Sequence, residues 1–402
     1  MRFLCKIKIE GKVLNPTENY QEAMKQKTPH ATLIFPYFKY IEFSKDPGFL
    51  MHYLAKQGFT SEILTLKLGD QQRKEFIPKL TFIKKPFFLN AIWHLVKNAK
   101  KTDALIMFHT HPLNIFYGPL YKLLNPKGTT YLKSDMDNTL LNINKPTLLN
   151  YIRRIKLYFN LLHVDVFSTE QEKVYKLFLK RYPQFRQKMM HVPNGYGDYI
   201  TVEKKPFSQK ENIILTVGPV GSHQKGTDII FKTFERLKPE LENGWTVIMI
   251  GEILDEYKQT LDNFFERNPT LKKRIILRGH VKDRKEMLDL YNKAKLIFMP
   301  SRWETFSCAL TEAAYYGVVI VGTPVGGVAE LTGNGAYGAV CDFNDDKNLA
   351  KELKKRMRDS TLLKKESNLT QQHSHTYTWP VISKKVYERL TKEMKKKKQQ
   401  NK

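Results

Sequence analysis

Residues 296–327, LIFMPSRWETFSCALTEAAYYGVVIVGTPVGG, contain two short apolar runs on either side of a segment with helical character. The runs are Leu296–Met299 and Val318–Val321, and each is followed by a proline or a glycine. Apolar runs without alternation are typical of buried parallel strands. The segment between them predicts a helix that begins near Ser307 and ends at Gly317. The stretch therefore predicts a strand, a helix and a second parallel strand.

The same order of elements runs through the rest of the second half of the chain. Apolar runs predict strands at Ile213–Val217, Trp245–Ile250 and Arg274–Leu277. Helical spacing predicts helices at Thr227–Leu237, Ile253–Phe265 and Arg284–Ala294, and one from about Asp345. Continuous apolar strands between amphipathic helices indicate a parallel sheet covered on both faces.

The first half has a similar but less regular pattern, and residues 1–30 show none. The predicted helix is Gly48–Gln57, and the predicted strands are Ala31–Phe35, Ile63–Leu66, Asp103–Phe108, Thr129–Leu132 and Val164–Phe167. The fold class is therefore α/β, with two doubly wound, Rossmann-like domains joined by a hinge near Gly195–Pro206.

Length and composition exclude several classes of protein. A chain of 402 residues that is 41% hydrophobic can bury the cores of two domains. It has no apolar run long enough to span a membrane, and Met1–Lys6 lacks the apolar core of a secretory signal. Cys5, Cys308 and Cys341 follow neither a disulfide nor a zinc pattern. We therefore expect a cytoplasmic protein without a metal site.

The net charge of +27 is unusual for an α/β protein of this size. Such a field attracts polyanions, namely nucleic acid, an anionic membrane or phosphorylated ligands. The alternative is a lysine-rich solvated surface. No nucleic-acid-binding module is recognisable, so nucleic acid is not expected as a partner. The tail Lys395–Lys398 is expected to be a disordered, solvated end.

Ligands of open parallel sheets bind beyond the carboxyl ends of the strands, so the residues there are informative. Gly218–Gly226 follows a strand, and its bare backbone with Lys225 suits a phosphate, although a plain turn with a solvated lysine would look similar. It has neither Walker nor dinucleotide-binding spacing, so no cofactor is expected. Gly322–Gly327 again offers bare backbone after a strand.

Two carboxylates flank the helix of the opening stretch. Glu304 precedes it and Glu312 lies on its second turn, so both can face a ligand at the sheet edge. Carboxylates accept hydrogen bonds from sugar hydroxyls, and the free backbone N–H groups of residues 306–308 would point at anionic oxygens. The alternative is an ordinary helix between two buried strands, with Glu304 stabilising its N-terminus.

These residues resemble the retaining, nucleotide-sugar-dependent glycosyltransferases of family 4, which have the GT-B fold. Glu304 and Glu312 match the E-x7-E signature of that family, and order and spacing agree over about 190–345. The other matching segments are Val192–Gly195, Val217-Gly218, Gln224–Gly226, Gly279-x-Val281, Pro300–Phe306, Gly317–Val319 and Gly326-Gly327-x-x-Glu330.

The resemblance implies a donor site and a mechanism. Lys225 and the helix start would hold the diphosphate, Glu312 the ribose and Glu304 the donor sugar. The implied donor-binding residues are Gly218, Lys225, Val281, Glu304, Phe306, Ser307, Cys308 and Glu312. The reaction would keep the anomeric configuration and need no metal. The implied domains are 1–198 on the acceptor side, 199–378 on the donor side, and 379–402, a helix crossing back to the first domain plus the basic tail.

The chain departs from the family at two places. Pro219 stands where the family usually has an arginine, so Arg302 or His223 would have to substitute for that cation. Phe35–Phe38 replaces the usual glycine-rich loop after the first strand. These departures leave open a second hypothesis, a non-catalytic glycosyltransferase-like subunit that binds a glycan or a partner transferase.

The first domain should supply the acceptor side. His109 and His111 follow a strand, and so do Asp135 and Asp137. We take His109 and Asp135 as catalytic candidates beside Lys225 and Glu304, with Asp135 or Asp137 as an acceptor contact rather than a metal ligand. The D-x-D tripeptide is common by chance, and the histidines have no third metal ligand near them in the sequence.

Residues 145–162, KPTLLNYIRRIKLYFNLL, predict a basic amphipathic helix. It could rest on an anionic membrane, peripheral to the inner face, where lipid-linked acceptors are found. Alternatively its apolar face lies in the core and its arginines lie in water. The leading hypothesis is a glycosyltransferase that moves a sugar from a nucleotide-diphosphate sugar to a glycan, a glycolipid or another surface-polymer acceptor.

Overall fold

A computed structural model describes two parallel β-sheets with helices on both faces of each. Element labels number only the elements within the described residues, which are 28–69, 71, 73–109, 113–136, 148–197, 199–200 and 202–400. His111 and Asp137, both expected on the acceptor side, lie outside these residues.

The first sheet has seven strands, all parallel, in the order β3-β2-β1-β4-β5-β6-β7. Their bounds are β1 (His30–Ile34), β2 (Thr60–Thr65), β3 (Lys79–Phe82), β4 (Ala104–Phe108), β5 (Thr129–Ser134), β6 (Val166–Thr169) and β7 (Met189–His191). Five of the seven were predicted. The edge strand β3 was missed because its four residues are all at least partly exposed, and β7 because it has only three residues.

The second sheet has six strands, all parallel, in the order β10-β9-β8-β11-β12-β13. Their bounds are β8 (Ile213–Val217), β9 (Thr246–Ile250), β10 (Ile275–Gly279), β11 (Leu296–Met299), β12 (Val319–Gly322) and β13 (Ala339–Val340). The first five are confirmed within two residues at each end. The sequence had not predicted β13, which has two residues.

Fifteen α-helices lie within the described residues and cover the sheets. In the first domain they are α1 (Asp46–Lys56), α2 (Phe87–Asn98), α3 (Asn114–Leu124), α4 (Leu148–His163) and α5 (Glu172–Arg181). In the second they are α6 (Thr227–Arg236), α7 (Lys238–Glu242), α8 (Lys258–Arg267), α9 (Pro269–Lys272), α10 (Arg284–Lys293), α11 (Cys308–Tyr315), α12 (Val328–Leu331), α13 (Asp346–Arg358) and α14 (Ser360–Ser374). The last helix is α15 (Trp379–Gln400).

Helix α15 packs on the first domain, not on the second-domain sheet that precedes it in the chain. Trp379, Ile382, Val386 and Leu390 are buried in the same core cluster as Leu50 of α1. The helix continues through the basic tail to Gln400, so the expectation of a disordered end at Lys395–Lys398 is wrong. The Lys397 ammonium donates to the Gly128 carbonyl at 2.6 Å and pairs with Asp165, which explains why the tail stays helical.

The two sheets end at a common cleft. The carboxyl ends of β4, β5 and β6 carry the first-domain candidates, and those of β8, β10, β11 and β12 carry the second-domain candidates. This is the edge at which ligands of parallel sheets bind. The boundary at residue 198 stays a prediction. The fold nevertheless explains how residues about 200 positions apart in the chain reach one site.

Candidate active site

The helix of the opening stretch lies where the sequence predicted it. Helix α11 spans Cys308–Tyr315 with Ser307 at its N-cap, and Gly317 follows it with a φ of 70°. Fewer backbone N–H groups are available at its start than expected, because the Ser307 N–H donates to the Gly326 carbonyl at 3.0 Å. That N–H is therefore not free for a phosphate. Burial raises the pKa of the Cys308 thiol, so the side chain at the helix start is a neutral thiol.

Lys225 and Glu304 form an ion pair at the mouth of the second-domain strands. The Lys225 ammonium contacts the Glu304 carboxylate, which also accepts a hydrogen bond from the Ser301 hydroxyl at 3.2 Å. The Lys225 chain reaches this place by running over Gly218. A Cβ at Gly218 would lie 2.8 Å from Lys225 Cε, so a glycine is needed for the approach. The ammonium of Lys225 could bind an anionic ligand group, and the carboxylate of Glu304 could accept hydrogen bonds from a ligand.

The glycines after β12 pack against the Glu304 loop, although the sequence suggested bare backbone for a ligand. A Cβ at Gly326 would lie 2.7 Å from Glu304 Cβ. A Cβ at Gly327 would lie 2.7 Å from the Phe306 ring, which is buried. These glycines therefore allow the loop after β12 to pack closely against the loop that carries Glu304 and Phe306, which positions both side chains.

Glu312 has a partner that the sequence analysis missed. Its carboxylate lies 2.9 Å from an Arg284 guanidinium nitrogen, and both side chains are largely buried. Arg284 begins α10 just after the loop that carries Val281, and Asp283 caps that helix through the backbone N–H groups of residues 285 and 286. Burial and the charge of Glu312 raise the pKa of Tyr291 well above its usual value. The carboxylate predicted for ribose is thus held in place by Arg284.

Arg302 does not replace the family's usual arginine. Its guanidinium forms a two-point hydrogen bond with the Asp228 carboxylate at 2.8 and 2.7 Å and donates to the His223 carbonyl at 2.9 Å. Such a fork is fixed by its partner. Pro219 lines the same cavity as Gly218 and Lys225. Lys225 lines that cavity, and His223 as a substitute cation stays a prediction.

His109 and Asp135 meet on the first-domain side of the cleft. The His109 Nδ1 atom lies 3.0 Å from an Asp135 carboxylate oxygen, and both side chains are partly exposed. Burial lowers the pKa of His109, but the hydrogen bond and charge of Asp135 outweigh burial and leave that pKa raised. Burial likewise raises the pKa of Asp135, and His109 more than offsets it, so that pKa is lowered.

The backbone of His109 is held in an unusual conformation. Its φ is 58°, in the left-handed region that few residues other than glycine adopt. The Asn114 amide donates to the carbonyls of Phe108 and His109, at 3.1 and 2.8 Å, and keeps the turn closed. Backbone strain of this kind concentrates at functional sites.

A buried charge cluster lies between this pair and helix α11. The Lys133 ammonium contacts Glu170, and it lies 3.1 Å from an Asp46 oxygen and 2.9 Å from the Asn194 amide oxygen. Burial lowers the pKa of Lys133, but the two carboxylates outweigh it and hold that pKa above its usual value. Lys133 also acts electrostatically on both His109 and Cys308, so the cluster joins the two sides of the cleft.

Hydrogen bonds cross the cleft directly beside this cluster. The Gln171 amide donates to the carbonyls of Glu304 and Thr305, at 2.9 and 2.5 Å. The Asn194 amide donates to the Phe306 carbonyl at 3.2 Å. Farther along, the Glu330 carboxylate accepts from the Glu172 N–H at 2.7 Å. The first domain thereby holds the loop that carries Glu304.

An aromatic pocket of about 320 Å³, open to solvent, lies on the first-domain side. Its lining includes Phe35, Tyr37, Phe108, His109, Asn114 and Tyr117. The Phe35–Phe38 segment that replaces the family's glycine-rich loop thus contributes aromatic walls. The buried Tyr117 hydroxyl has no hydrogen-bond partner among the described residues, and burial raises its pKa to about 12.

Some of the residues that were missed do carry a local signal. Glu170 and Gln171 directly follow β6, so the rule that ligands bind at strand ends pointed to them. Lys133 is a lysine inside a buried strand, which is rare without a partner. Arg284 lies one turn beyond Val281 and had no distinguishing pattern. Among the residues that the structure describes, no group of three or more His, Cys, Asp or Glu side chains is placed to hold a metal ion.

Comparison with known proteins finds a family match in the second half of the chain. Residues 200–374 match the family described as glycosyl transferases group 1. An uncharacterized 41.2 kDa protein of the cps region of Klebsiella pneumoniae is 29% identical over 138 residues, which are 34% of this chain and 35% of that one. A lipopolysaccharide core biosynthesis mannosyltransferase of Rhizobium leguminosarum bv. viciae is 29% identical over 176 residues, 43% of this chain and 48% of that one. The chain thus spans about a third to a half of the length of these curated relatives.

Solved structures match over most of the chain. The Anabaena protein HepE, crystallised in complex with UDP, has a TM-score of 0.68 at 14% identity, and the match covers 90% of this chain and 100% of that one. At such low identity the likeness concerns the fold alone. Residues 200–374 are thus similar to the group 1 glycosyl transferases, and the chain as a whole has the GT-B fold.

Proposed function

We propose that this protein transfers a sugar from a nucleotide-diphosphate sugar to a glycan, a glycolipid or another surface-polymer acceptor, with retention of the anomeric configuration. The observation that carries the proposal is the pairing of Lys225 with Glu304 and of Arg284 with Glu312 on the two sides of one helix start. Each carboxylate is fixed by a cation, so its oxygens can accept from sugar hydroxyls. Each cation can turn to a phosphate when a donor enters.

The donor would lie along helix α11 of the second domain. Glu312 would hold the ribose, with Val281 near the base, and Glu304 would hold hydroxyls of the transferred sugar. Gly218 and Lys225 would meet the diphosphate, with Phe306, Ser307 and Cys308 beside it. Because Ser307 uses its N–H within the protein, the Lys225 ammonium supplies more of the stabilising charge than the helix start.

The chemistry then rests on position and charge, with no protein nucleophile and no metal. The bond from the anomeric carbon to the diphosphate breaks, and the acceptor oxygen bonds to that carbon on the same face. The departing phosphate oxygen takes the acceptor proton. Lys225 stabilises the negative charge that develops on the diphosphate, while His109 and Asp135 orient the acceptor hydroxyl from the first domain.

The first test is a thermal-shift panel of nucleoside diphosphates and their sugars, with and without Mg²⁺. Uridine compounds come first, because the matching Anabaena structure holds UDP. A ligand at about 100 times its Kd stabilises the folded protein by roughly 2.7 kcal/mol, a shift of several degrees. We expect one base-selective shift, independent of Mg²⁺, that Glu312→Ala abolishes and the exposed-site control Glu256→Ala keeps.

A second candidate, a non-catalytic glycosyltransferase-like subunit, is favoured by Pro219, which removes a cation from the diphosphate site. Release of nucleoside diphosphate from the donor, with water or a membrane extract as the acceptor source, separates the two. The enzyme releases nucleotide, and Lys225→Ala lowers the rate. A protein that binds glycans yet neither shifts with nucleotides nor releases them would be the subunit instead.

A further inference from the structure

Three neighbouring helices of the first domain form one layer over one face of its sheet. Helix α3 packs between α2 and α4. The inner sides of all three enter the same core cluster, through residues that are buried: Phe87, Ala91, Leu95, Tyr117, Tyr121, Leu157 and Leu161. The outer sides of these helices together form one surface, the α2–α4 face.

Each of the three helices also carries large apolar side chains on its outer side. On α2 these are Leu89, Trp93 and Val96, exposed by 61, 58 and 46%. On α3 they are Phe116 and Leu123, exposed by 50 and 78%. On α4 they are Tyr151, Ile152, Ile155, Tyr158, Phe159 and Leu162. Spacings of three, four or seven residues place most of them along one side of each helix, away from the side that enters the core.

Helix α4 fits neither interpretation of the basic amphipathic segment completely, because it has apolar residues both in the core and on the surface. If its apolar face lay in the core, only arginines and other polar residues would remain outside. Instead Leu157, Asn160 and Leu161 face the core, and the six larger apolar and aromatic residues are exposed. Single exposed apolar residues are ordinary, but three adjacent stripes on one face mark an interaction surface.

The three helices of this face carry basic but no acidic residues, although Lys122 is paired with Asp165. Helices α2, α3 and α4 contain no Asp or Glu, and their basic residues are Lys97, Lys122, Arg153, Arg154 and Lys156. Residues 76–164 contain 13 Lys or Arg and three Asp or Glu. The Lys97 ammonium lies 4.6 Å from the Trp93 ring centre, so cation and aromatic side chain share one place on the surface.

We propose that the α2–α4 face docks on an anionic lipid bilayer. Aromatic and aliphatic side chains would enter the boundary between headgroups and acyl chains, while the lysines and arginines contact anionic headgroups. A nucleic acid would use the charge but leave the apolar stripes in water. A second copy of this chain would bring two strongly basic faces together. Within the described part of the chain no helix combines the length and apolarity needed to cross a bilayer.

The docked face leads to the acceptor-side pocket, and this step rests on the proposed function. Phe88 of α2 packs against the rings of Phe116 and Tyr117, at 5.6 and 5.7 Å between ring centres. Tyr117 and Asn114 line the pocket that holds His109. A lipid-linked sugar could therefore stay anchored in the bilayer while its headgroup reaches His109. The structure favours a lipid-linked acceptor over a free soluble glycan.

The test is co-sedimentation of the full chain with vesicles of phosphatidylcholine alone or mixed with phosphatidylglycerol. One variant removes an apolar residue from each helix: Trp93→Ser, Leu123→Ser and Ile155→Ser together. Another removes charge: Lys97→Gln, Arg153→Gln and Lys156→Gln together. Matched controls change exposed residues of the same kinds elsewhere: Ile276→Ser, Phe343→Ser and Val381→Ser, and Lys232→Gln, Lys272→Gln and Lys364→Gln.

We expect binding to the mixed vesicles only. Loss of three surface cations should weaken it on the order of 100-fold, since each contributes roughly tenfold or less near an anionic surface. The apolar variant should lose binding too, while both controls keep it. All variants should retain the wild-type melting temperature and nucleotide shift, which separates a failure of docking from a failure of the proposed transfer.

Three outcomes would overturn the proposal. The first is no binding to mixed vesicles by protein that still binds nucleotide. The second is binding that the controls lower as much as the two face variants do. The third is a dimer in sedimentation velocity without vesicles that the apolar variant dissociates, because a second copy would then cover the face.

Discussion

Among single residues, Gly218 shows how one missing side chain positions a charge. Its φ of 146° and the passage of Lys225 over its Cα both require glycine. A Cβ would lie within 2.9 Å of three Lys225 carbons, all in a flexible chain that can move aside. Movement of that chain would take the ammonium away from Glu304.

We therefore predict that Gly218→Ala lowers nucleotide affinity by roughly 10-fold, as expected for a weakened charged hydrogen bond. Gly244→Ala is the matched control, because Gly244 also has a positive φ, 97°, but nothing within 4 Å of its Cβ position. Isothermal titration with UDP would measure affinity, and thermal melting would measure stability. Equal affinity losses in the two variants would show that backbone strain, rather than the Lys225 position, is responsible.

The ion pair of His109 and Asp135 makes a second prediction about residues. Asp135→Asn should lower the pKa of His109, because Asp135 is what raises it against the effect of burial. Titration of the histidine ring signals by NMR would measure the change. Asp262→Asn, at an exposed site of the second domain, should leave the His109 titration unchanged. An unaltered pKa in Asp135→Asn would mean that the two side chains do not pair in solution.

The same pair sets a pH window for stability. The raised pKa of His109 contributes stability that is fully present below about pH 6.5 and is lost as the pH rises through the folded-state value. The lowered pKa of Asp135 contributes stability that is present above about pH 3.9 and is lost as the pH falls through its folded-state value. The stability difference between wild type and Asp135→Asn should therefore be largest between these limits.

Among the helices and strands, helix α15 belongs to the first domain although it follows the second in the chain. Leu390 is fully buried with Val386 and Ile382 against α1 and the first sheet. The isolated backbone bridge between Tyr196 and Thr378 brings the start of this helix to the segment between the sheets. The helix therefore ties the chain end to the domain that holds the acceptor-side residues.

Leu390→Ala should destabilise the first domain by about 2–5 kcal/mol, through lost burial and the cavity left behind. Urea unfolding followed by circular dichroism would measure it. Val381→Ala, at a site on the same helix that is 40% exposed, should cost far less. Equal losses would mean that the helix is only loosely attached to the domain.

Across the molecule, the Lys133 cluster connects the two halves of the site. It gathers charges from the start of α1, from β5 and from the end of β6, and it reaches the second domain through Asn194 and Phe306. Removing the lysine would leave buried carboxylates without a partner. The Glu304 loop would also be affected, because Asn194 contacts both Lys133 and the Phe306 carbonyl across the cleft.

We predict that Lys133→Met lowers stability by about 3–5 kcal/mol, the usual cost of breaking a buried ion pair. Glu170→Gln in the same background should restore part of that loss, since it removes one of the unpaired charges. A double-mutant cycle by thermal melting measures this coupling. Strictly additive effects of the two changes would contradict a shared cluster.

Local sequence patterns were enough to predict the fold class and to single out the residues that follow the strands of the second domain. Continuous apolar runs define buried parallel strands, and the residues after those strands must lie at one edge of the sheet. That reasoning singled out Gly218, Lys225, Glu304 and Glu312, while their donor-binding roles came from the resemblance to family 4 and stay predictions. The structure places Lys225 beside Gly218 and Glu304, and it pairs Glu312 with Arg284. It failed for short strands such as β3 and β13, where too few residues carry a pattern.

Which charges pair and which surfaces remain open depended instead on how the elements pack in three dimensions. Arg284 meets Glu312, and Lys133 meets Glu170, across distances in sequence that no local pattern encodes. Helix α4 is apolar on two opposite sides, and its periodicity is the same whichever side enters the core. Packing against the sheet chose the side with Leu157 and Leu161, which left the larger stripe in contact with solvent. Pairing and exposure depend on the arrangement of several elements in space, so local sequence could not specify them.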